Sequence, residues 1–197
     1  MITFVRTFAT AMALTATFSA GTASATAANR TPTARSEAAA RSTGEFRDLI
    51  TLALTTAPFH DVDNALRAGW TEQPMCMTYP EGFHGEEPGT MGNHFYNVAY
   101  LTDGGHVEAS QPELLLYEKR KDGSWRLNAV EYVIPAGDLP GTATPPELFG
   151  QKFTFYPEVG AAGIWGLHVW LWRHNPRGMY VNLHPTVTCA YADIVGP

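Results

Sequence analysis

The chain is poor in cysteine and in positive charge. Only Cys76 and Cys189 occur in 197 residues, and 13 Lys and Arg stand against 19 Asp and Glu, a formal charge of −6. Neither cysteine lies in a C-x-x-C spacing. A disulfide is therefore the default reading for an exported chain, with a thiolate metal pair as its rival. The acidic balance and scattered basic residues argue against nucleic acid or an anionic membrane as partner. There is no G-x-S-x-G elbow, P-loop or dinucleotide fingerprint, no H-E-x-x-H or H-x-H, and no internal repeat. The N-terminal apolar run, Phe8–Phe18, is too short to span a bilayer.

That run has the form of a secretory leader instead. Arg6 precedes it and Ala23-Ser24-Ala25 follows as an A-x-A cleavage signal, so residues 1–25 read as a signal peptide. No lipobox cysteine appears there, and no membrane insertion is expected once the leader is removed. The protein is expected to be secreted or extracytoplasmic. Residues 26–42 read as a flexible tail, with helical character near Ser36–Arg41, and residues 43–197 as a single globular domain.

The domain begins with helical patterns and continues with strands. Phe46, Leu49, Ile50, Ala53 and Leu54 form an amphipathic stripe on a helix over Thr43–Leu54. A second helix is expected over Asp61–Ala68, with Asp61 as N-cap and Gly69 just past its end. Strands are expected at 94–100, 113–119, 125–134, 151–157, 167–173 and 186–192, and residues 135–150 form a proline-rich excursion. The fold class is α+β, mainly β: two short N-terminal helices packed on an antiparallel curved sheet or small β-barrel.

An Asp122-Gly123 turn between two of these strands predicts a hairpin with Leu114 opposite Glu131, Leu116 opposite Ala129 and Glu118 opposite Leu127. Leu114, Leu116, Glu118, Leu127, Ala129, Glu131 and Val133 then share the more apolar face, which is expected to meet the core. Glu131 becomes a carboxylate inside an apolar surface, and must be protonated, paired or bound to metal. Glu118 lies near the turn beside Lys119 and Arg120, where a salt bridge suits it. It would be ~13 Å from Glu131 at about 3.3 Å per residue, and is the weaker metal candidate.

Of the seven histidines, His94 and His168 sit inside strand-like aromatic segments. His60, His84, His106, His174 and His184 fall in loops or at strand ends. Alternation along a strand puts His168, Trp170, Trp172 and His174 of "GLHVWLWRH" on one face. Two imidazoles and a carboxylate from three strands, His94, Glu131 and His168, suit one divalent metal: Zn, Fe or Mn. The competing reading has the same residues hydrogen-bonded to one another or to core carbonyls, without metal.

The segments "MGNHFYN" (91–97), "QPELLLYEK" (111–119), "NAVEYVIP" (128–135), "PPELFGQKF" (145–153) and "LHVWLWRHNPRGMY" (167–180) resemble a family of functionally uncharacterised secreted bacterial proteins, many of them actinobacterial. "ALRAGW" (65–70) and "HPTVTC" (184–189) match it too, so the likeness spans nearly the whole mature chain. The resemblance brings no activity. It implies weight for His94, Glu113, Glu118, Glu131 and His168, less for His174 and His184, and supports Cys189 as partner of Cys76.

Three kinds of function remain open on the residues. One is a metal-binding β-protein using His94, Glu131 and His168. Another is a metal-free small-ligand barrel with Tyr96, Trp170, Trp172 and Tyr132 around its pocket. The last is a structural or interaction protein of the cell envelope. Small molecules or metal are the partners these readings allow, and neither an enzymatic reaction nor an oligomeric state is specified.

Overall fold

The computed structural model describes residues 34–197, and for residues 34–38 and 40 the backbone alone. The expected leader and residues 26–33 of the tail lie outside the described residues. Helix α1 (Ala34–Thr56) starts earlier than Thr43, because the Ala-rich stretch before it favours helix. Its contact face also differs from the expected stripe. Leu52 and Thr56 are fully buried, whereas Phe46, Ile50 and Leu54 are 65%, 43% and 73% exposed. Polar anchors set this rotation. The Trp172 indole donates to Thr56 Oγ1 at 3.1 Å, and Tyr180 Oη donates to Glu45 at 3.3 Å. A 3-10 turn (Ala57–His60) leads to α2 (Val62–Arg67), where Asp61 caps the helix by accepting Asp63 N–H at 3.0 Å, as expected.

The strands are β1 (Trp70–Tyr79), β2 (Gly89–Asn97), β3 (Leu114–Lys119), β4 (Trp125–Pro135), β5 (Glu147–Leu148), β6 (Gln151–Lys152), β7 (Thr154–Tyr156), β8 (Ile164–Val169) and β9 (Val195–Gly196). Seven of them form one sheet in the order β7-β8-β4-β3-β2-β1-β9, curled into a half-barrel. All its pairings are antiparallel except β1 with β9. A short helix, α3 (Val98–Leu101), follows β2 where a strand was expected to continue. The Asn97 side chain ends the strand by accepting Ala99 N–H at 3.1 Å.

β1 was not expected. Pro74 lies inside it, at an irregularity in its pairing with β2 between Glu72 and Cys76, where a missing N–H costs no ladder bond. The expected strand at 186–192 is irregular chain, since β9 takes the edge of β1 and Glu118 accepts the Thr188 N–H instead. The disulfide Cys76–Cys189, with Cα atoms 5.7 Å apart, ties this segment to β1.

Both sheet faces are buried, which corrects the expectation of one core face. Leu115, Tyr117, Val130, Tyr132, Leu167 and Val169 pack with Leu52, Trp70 and Phe95 in the larger cluster. The opposite face carries Leu114, Glu131 and Val133 into a cavity, with Leu116 and Ala129 in a second cluster beside it.

Two bulges set what points where. The β3–β4 turn holds one residue more than expected: Arg120 O accepts Gly123 N–H, Arg120 N–H donates to Ser124 O, and Gly123 has φ +82°. The added residue shifts Glu118 opposite Arg126 and Tyr117 opposite Leu127. A bulge at Asn128 then absorbs the shift, so Leu116–Ala129 and Leu114–Glu131 pair as expected. The second bulge lies at Met91-Gly92 in β2. Gly92 has φ +106°, and a Cβ there would sit 2.6 Å from Tyr117 O, so the position requires glycine. It lets Met91 and His94, of opposite sequence parity, face the same cavity.

The disulfide closes a separation of 113 residues. Chain-entropy arguments give about 4–5 kcal/mol for a loop of that order, and native bridges typically contribute ~2–5 kcal/mol. Cys189→Ser is therefore expected to lower the unfolding free energy by about 2 kcal/mol or more in urea. An unchanged midpoint and slope would show that the bridge adds nothing.

Candidate functional site

His94 on β2, Glu131 on β4 and His168 on β8 come together although β3 lies between two of their strands. Glu131 pairs directly with His168 across β4–β8, and His94 pairs with Leu116, whose strand reaches β4 through Ala129. The carboxylate Oε2 of Glu131 lies 3.4 Å from His94 Nε2 and 3.6 Å from His168 Nε2. One donor atom from each residue lies within 4.8 Å of the others. These separations leave room between the three donors for a single ion with metal–ligand bonds of ~2.0–2.2 Å.

All three side chains are buried, and their hydrogen bonding is incomplete. His94 Nδ1 and both ring nitrogens of His168 have no hydrogen-bond partner among the described residues. Buried polar atoms left without partners are costly, so a group that engages them is favoured. Burial by itself works against the charged form of Glu131, but the facing His168 ring and the contact with His94 outweigh it and hold the carboxyl below its usual range. Burial dominates at His168 and pushes its imidazole below the usual value despite Glu131. An anionic carboxylate and a neutral imidazole are the forms in which these groups bind metal.

The three residues form the polar end of a cavity of about 290 Å³. Its walls are mostly apolar: Met77 and Tyr79 from β1, Met91 and Tyr96 from β2, Leu114 and Val133 from β3 and β4, Tyr156 and Ile164 from β7 and β8, with Phe83 and Leu101 from the connections, while Gln73 and Asn182 add two amides. Of the expected pocket residues, only Tyr96 lines it. Tyr132 points into the opposite cluster, its hydroxyl donating to Ala109 O at 2.8 Å. Trp170 and Trp172 leave the cavity because β8 ends at Val169, where Leu171 N–H turns back to Val169 O and Trp172 N–H donates to Asn128 O at the bulge. Trp170 then packs on His184 at 4.9 Å, while Trp172 reaches His60 and Thr56. The stretch "GLHVWLWRH" is thus a strand only through Val169, and its alternation stops there.

His84 was expected in a loop, and it lies in the connection between β1 and β2. That connection lies against the cavity. Phe83 and His84 pack on Tyr156, and His84 pairs with Glu158. Glu86 holds the loop in place by accepting the backbone N–H of Asn182 and Leu183 and the Asn182 amide, each at 2.7–2.8 Å. Single-sequence patterning offers no signal for this, since Glu86 sits in an acidic, glycine-rich run. His184, ranked low at the sequence level, is buried but satisfied, contacting His174 O at 3.1 Å and accepting Thr186 N–H at 3.0 Å.

The remaining glutamates are structural. Glu118 lies outside the cluster, paired with Arg173 at 2.5 Å and capping Thr188 N–H at 3.0 Å. Glu113 is buried behind the site, where its carboxyl accepts Val133 N–H at 3.0 Å beside the strand-ending Pro112. Burial pushes it up to about 8, with the backbone bonds opposing and Asp103 and Glu131 adding to the rise. Its folded value is thus above its unfolded one, so its contribution to stability is fully present below about pH 4.5 and is lost as pH rises toward 8, the unfolded chain giving up the proton first. Unfolding free energies between pH 5 and 8 are expected to fall less steeply in Glu113→Gln than in the wild type, by up to about 1.4 kcal/mol per pH unit. Parallel profiles would count against a neutral Glu113.

No protein-family model, curated protein or solved structure matches the chain.

Proposed function

We propose that the protein is a secreted metal-binding protein whose His94, Glu131 and His168 hold one divalent ion (Zn, Fe or Mn) at the inner end of an apolar small-molecule pocket. The observation that carries this reading is the convergence of three buried donors while neither ring nitrogen of His168 makes a hydrogen bond among the described residues. Two imidazoles and one carboxylate leave coordination positions open, here toward the cavity. In that role Glu131 neutralises one charge of the ion, and the two histidines supply neutral nitrogen ligands. Bound metal would polarise a ligand oxygen or water placed in the pocket. Export is supported by the leader-like N-terminus and by the disulfide, which fits an oxidising compartment. Among the described residues, no helix is long and apolar enough to cross a membrane.

Protein purified without chelator is expected to carry about one equivalent of divalent metal by elemental analysis. Saturating Zn2+ at roughly 100 Kd stabilises by about 2.7 kcal/mol, a rise in Tm of about 5 °C or more. His168→Ala and the near-isosteric Glu131→Gln should lose both the metal and the thermal shift. A wild type that takes up no metal and shows no shift would leave a metal-free pocket as the reading.

A further inference from the structure

We propose that the cavity receives a small monoanionic ligand, an aryl or alkyl carboxylate, whose carboxylate meets the metal while its apolar body lies against the Met, Tyr and Phe walls. This rests on the metal reading above and specifies what that metal serves. Besides the three donors and the tyrosine hydroxyls, the polar side chains on the cavity are Gln73 on β1, half-buried, and Asn182 beside Tyr156. Tyr156 Oη donates to Asn182 Oδ1 at 2.9 Å, and Asn182 Nδ2 donates to Glu86 at 2.7 Å, so the polar groups of that wall are engaged with one another. Tyr79 and Tyr96 are only half-buried. Among the described residues that line the cavity, the buried nitrogens without a hydrogen-bond partner are those of His94 and His168.

Charge selects the sign of the ligand. Among the described residues, no Lys or Arg lines the cavity. A divalent ion with the single carboxylate of Glu131 leaves one positive charge uncompensated in an apolar surround, and a monoanion removes it. Space selects the body. About 290 Å³ exceeds what one bound water fills, and the walls reward apolar surface. Gly166 keeps room beside the donors: a Cβ there would lie 3.0 Å from the Tyr156 ring and 3.4 Å from Glu131 Oε1. Without a metal, the aromatic walls and Glu131 would favour the opposite sign, an apolar cation.

The test loads the full mature protein with Co2+, whose visible absorption reports coordination, and titrates benzoate, acetate and benzyltrimethylammonium. Benzoate is expected to change the cobalt spectrum and to bind about tenfold or more tightly than acetate. Leu101→Trp, which fills the cavity from the half-buried α3 without touching a donor, should keep the cobalt spectrum and weaken benzoate about tenfold. A cobalt spectrum that benzoate moves no better than acetate, or a Leu101→Trp protein that binds benzoate undiminished, overturns this inference and leaves the metal site standing. Absence of any cobalt spectrum overturns both. Preferential binding of benzyltrimethylammonium to the metal-free protein reverses the proposed ligand charge.

Discussion

A carboxylate in an apolar wall needs partners, and the arrangement around Glu131 meets that need across three strands. Glu131 stands opposite His168 on one side, and His94 reaches it over the intervening β3 on the other. Desolvation alone would neutralise the acid. The two imidazoles hold it ionised instead, at the cost of leaving His168 buried with no hydrogen bond among the described residues. The placement of β2, β4 and β8 in one curled sheet is what makes this balance possible, and the cavity forms where that sheet face is not filled.

Register errors would destroy the site, since a one-residue slip turns a side chain to the other face. Two irregularities protect it. The longer β3–β4 turn and the Asn128 bulge offset each other, so Glu131 keeps its place while Glu118 is released to pair with Arg173. The Met91-Gly92 bulge brings His94 and Met91 onto one face. Asn128 serves twice, because its carbonyl also takes the Trp172 N–H and so directs the chain after β8 away from the cavity. Loop anchoring completes the enclosure. Glu86 fixes the β1–β2 connection to Asn182 and Leu183, which sets Phe83 against the pocket. These contacts join segments far apart in sequence, and together they make a polar end and apolar walls within one half-barrel.

Much of the architecture was legible locally. The Asp61 cap, the mainly β class and the Leu114–Glu131 pairing follow from cap chemistry, β-rich patterning and turn signals. The trio of His94, Glu131 and His168 was legible because each is a polar residue in an otherwise strand-like apolar segment. The rotation of α1 was not, since Phe46, Ile50 and Leu54 satisfy an amphipathic pattern yet lie exposed, and the choice was made by distant partners, Trp172 and Tyr180. The tryptophans of "GLHVWLWRH" misled for a related reason. Alternation holds only while a strand has a neighbour, and β8 loses its neighbour after Val169.

By itself, then, the sequence determined which side chains carry charge into the sheet, where α2 is capped, and which two cysteines were there to be joined. Those properties depend on neighbours a few residues away or on composition. Only the tertiary structure decided that three donors meet at one point, that an acidic loop lines a pocket, and that Trp170 and Trp172 stay out of it. Such outcomes depend on bulges and on hydrogen bonds between residues up to 135 positions apart, which no local pattern encodes.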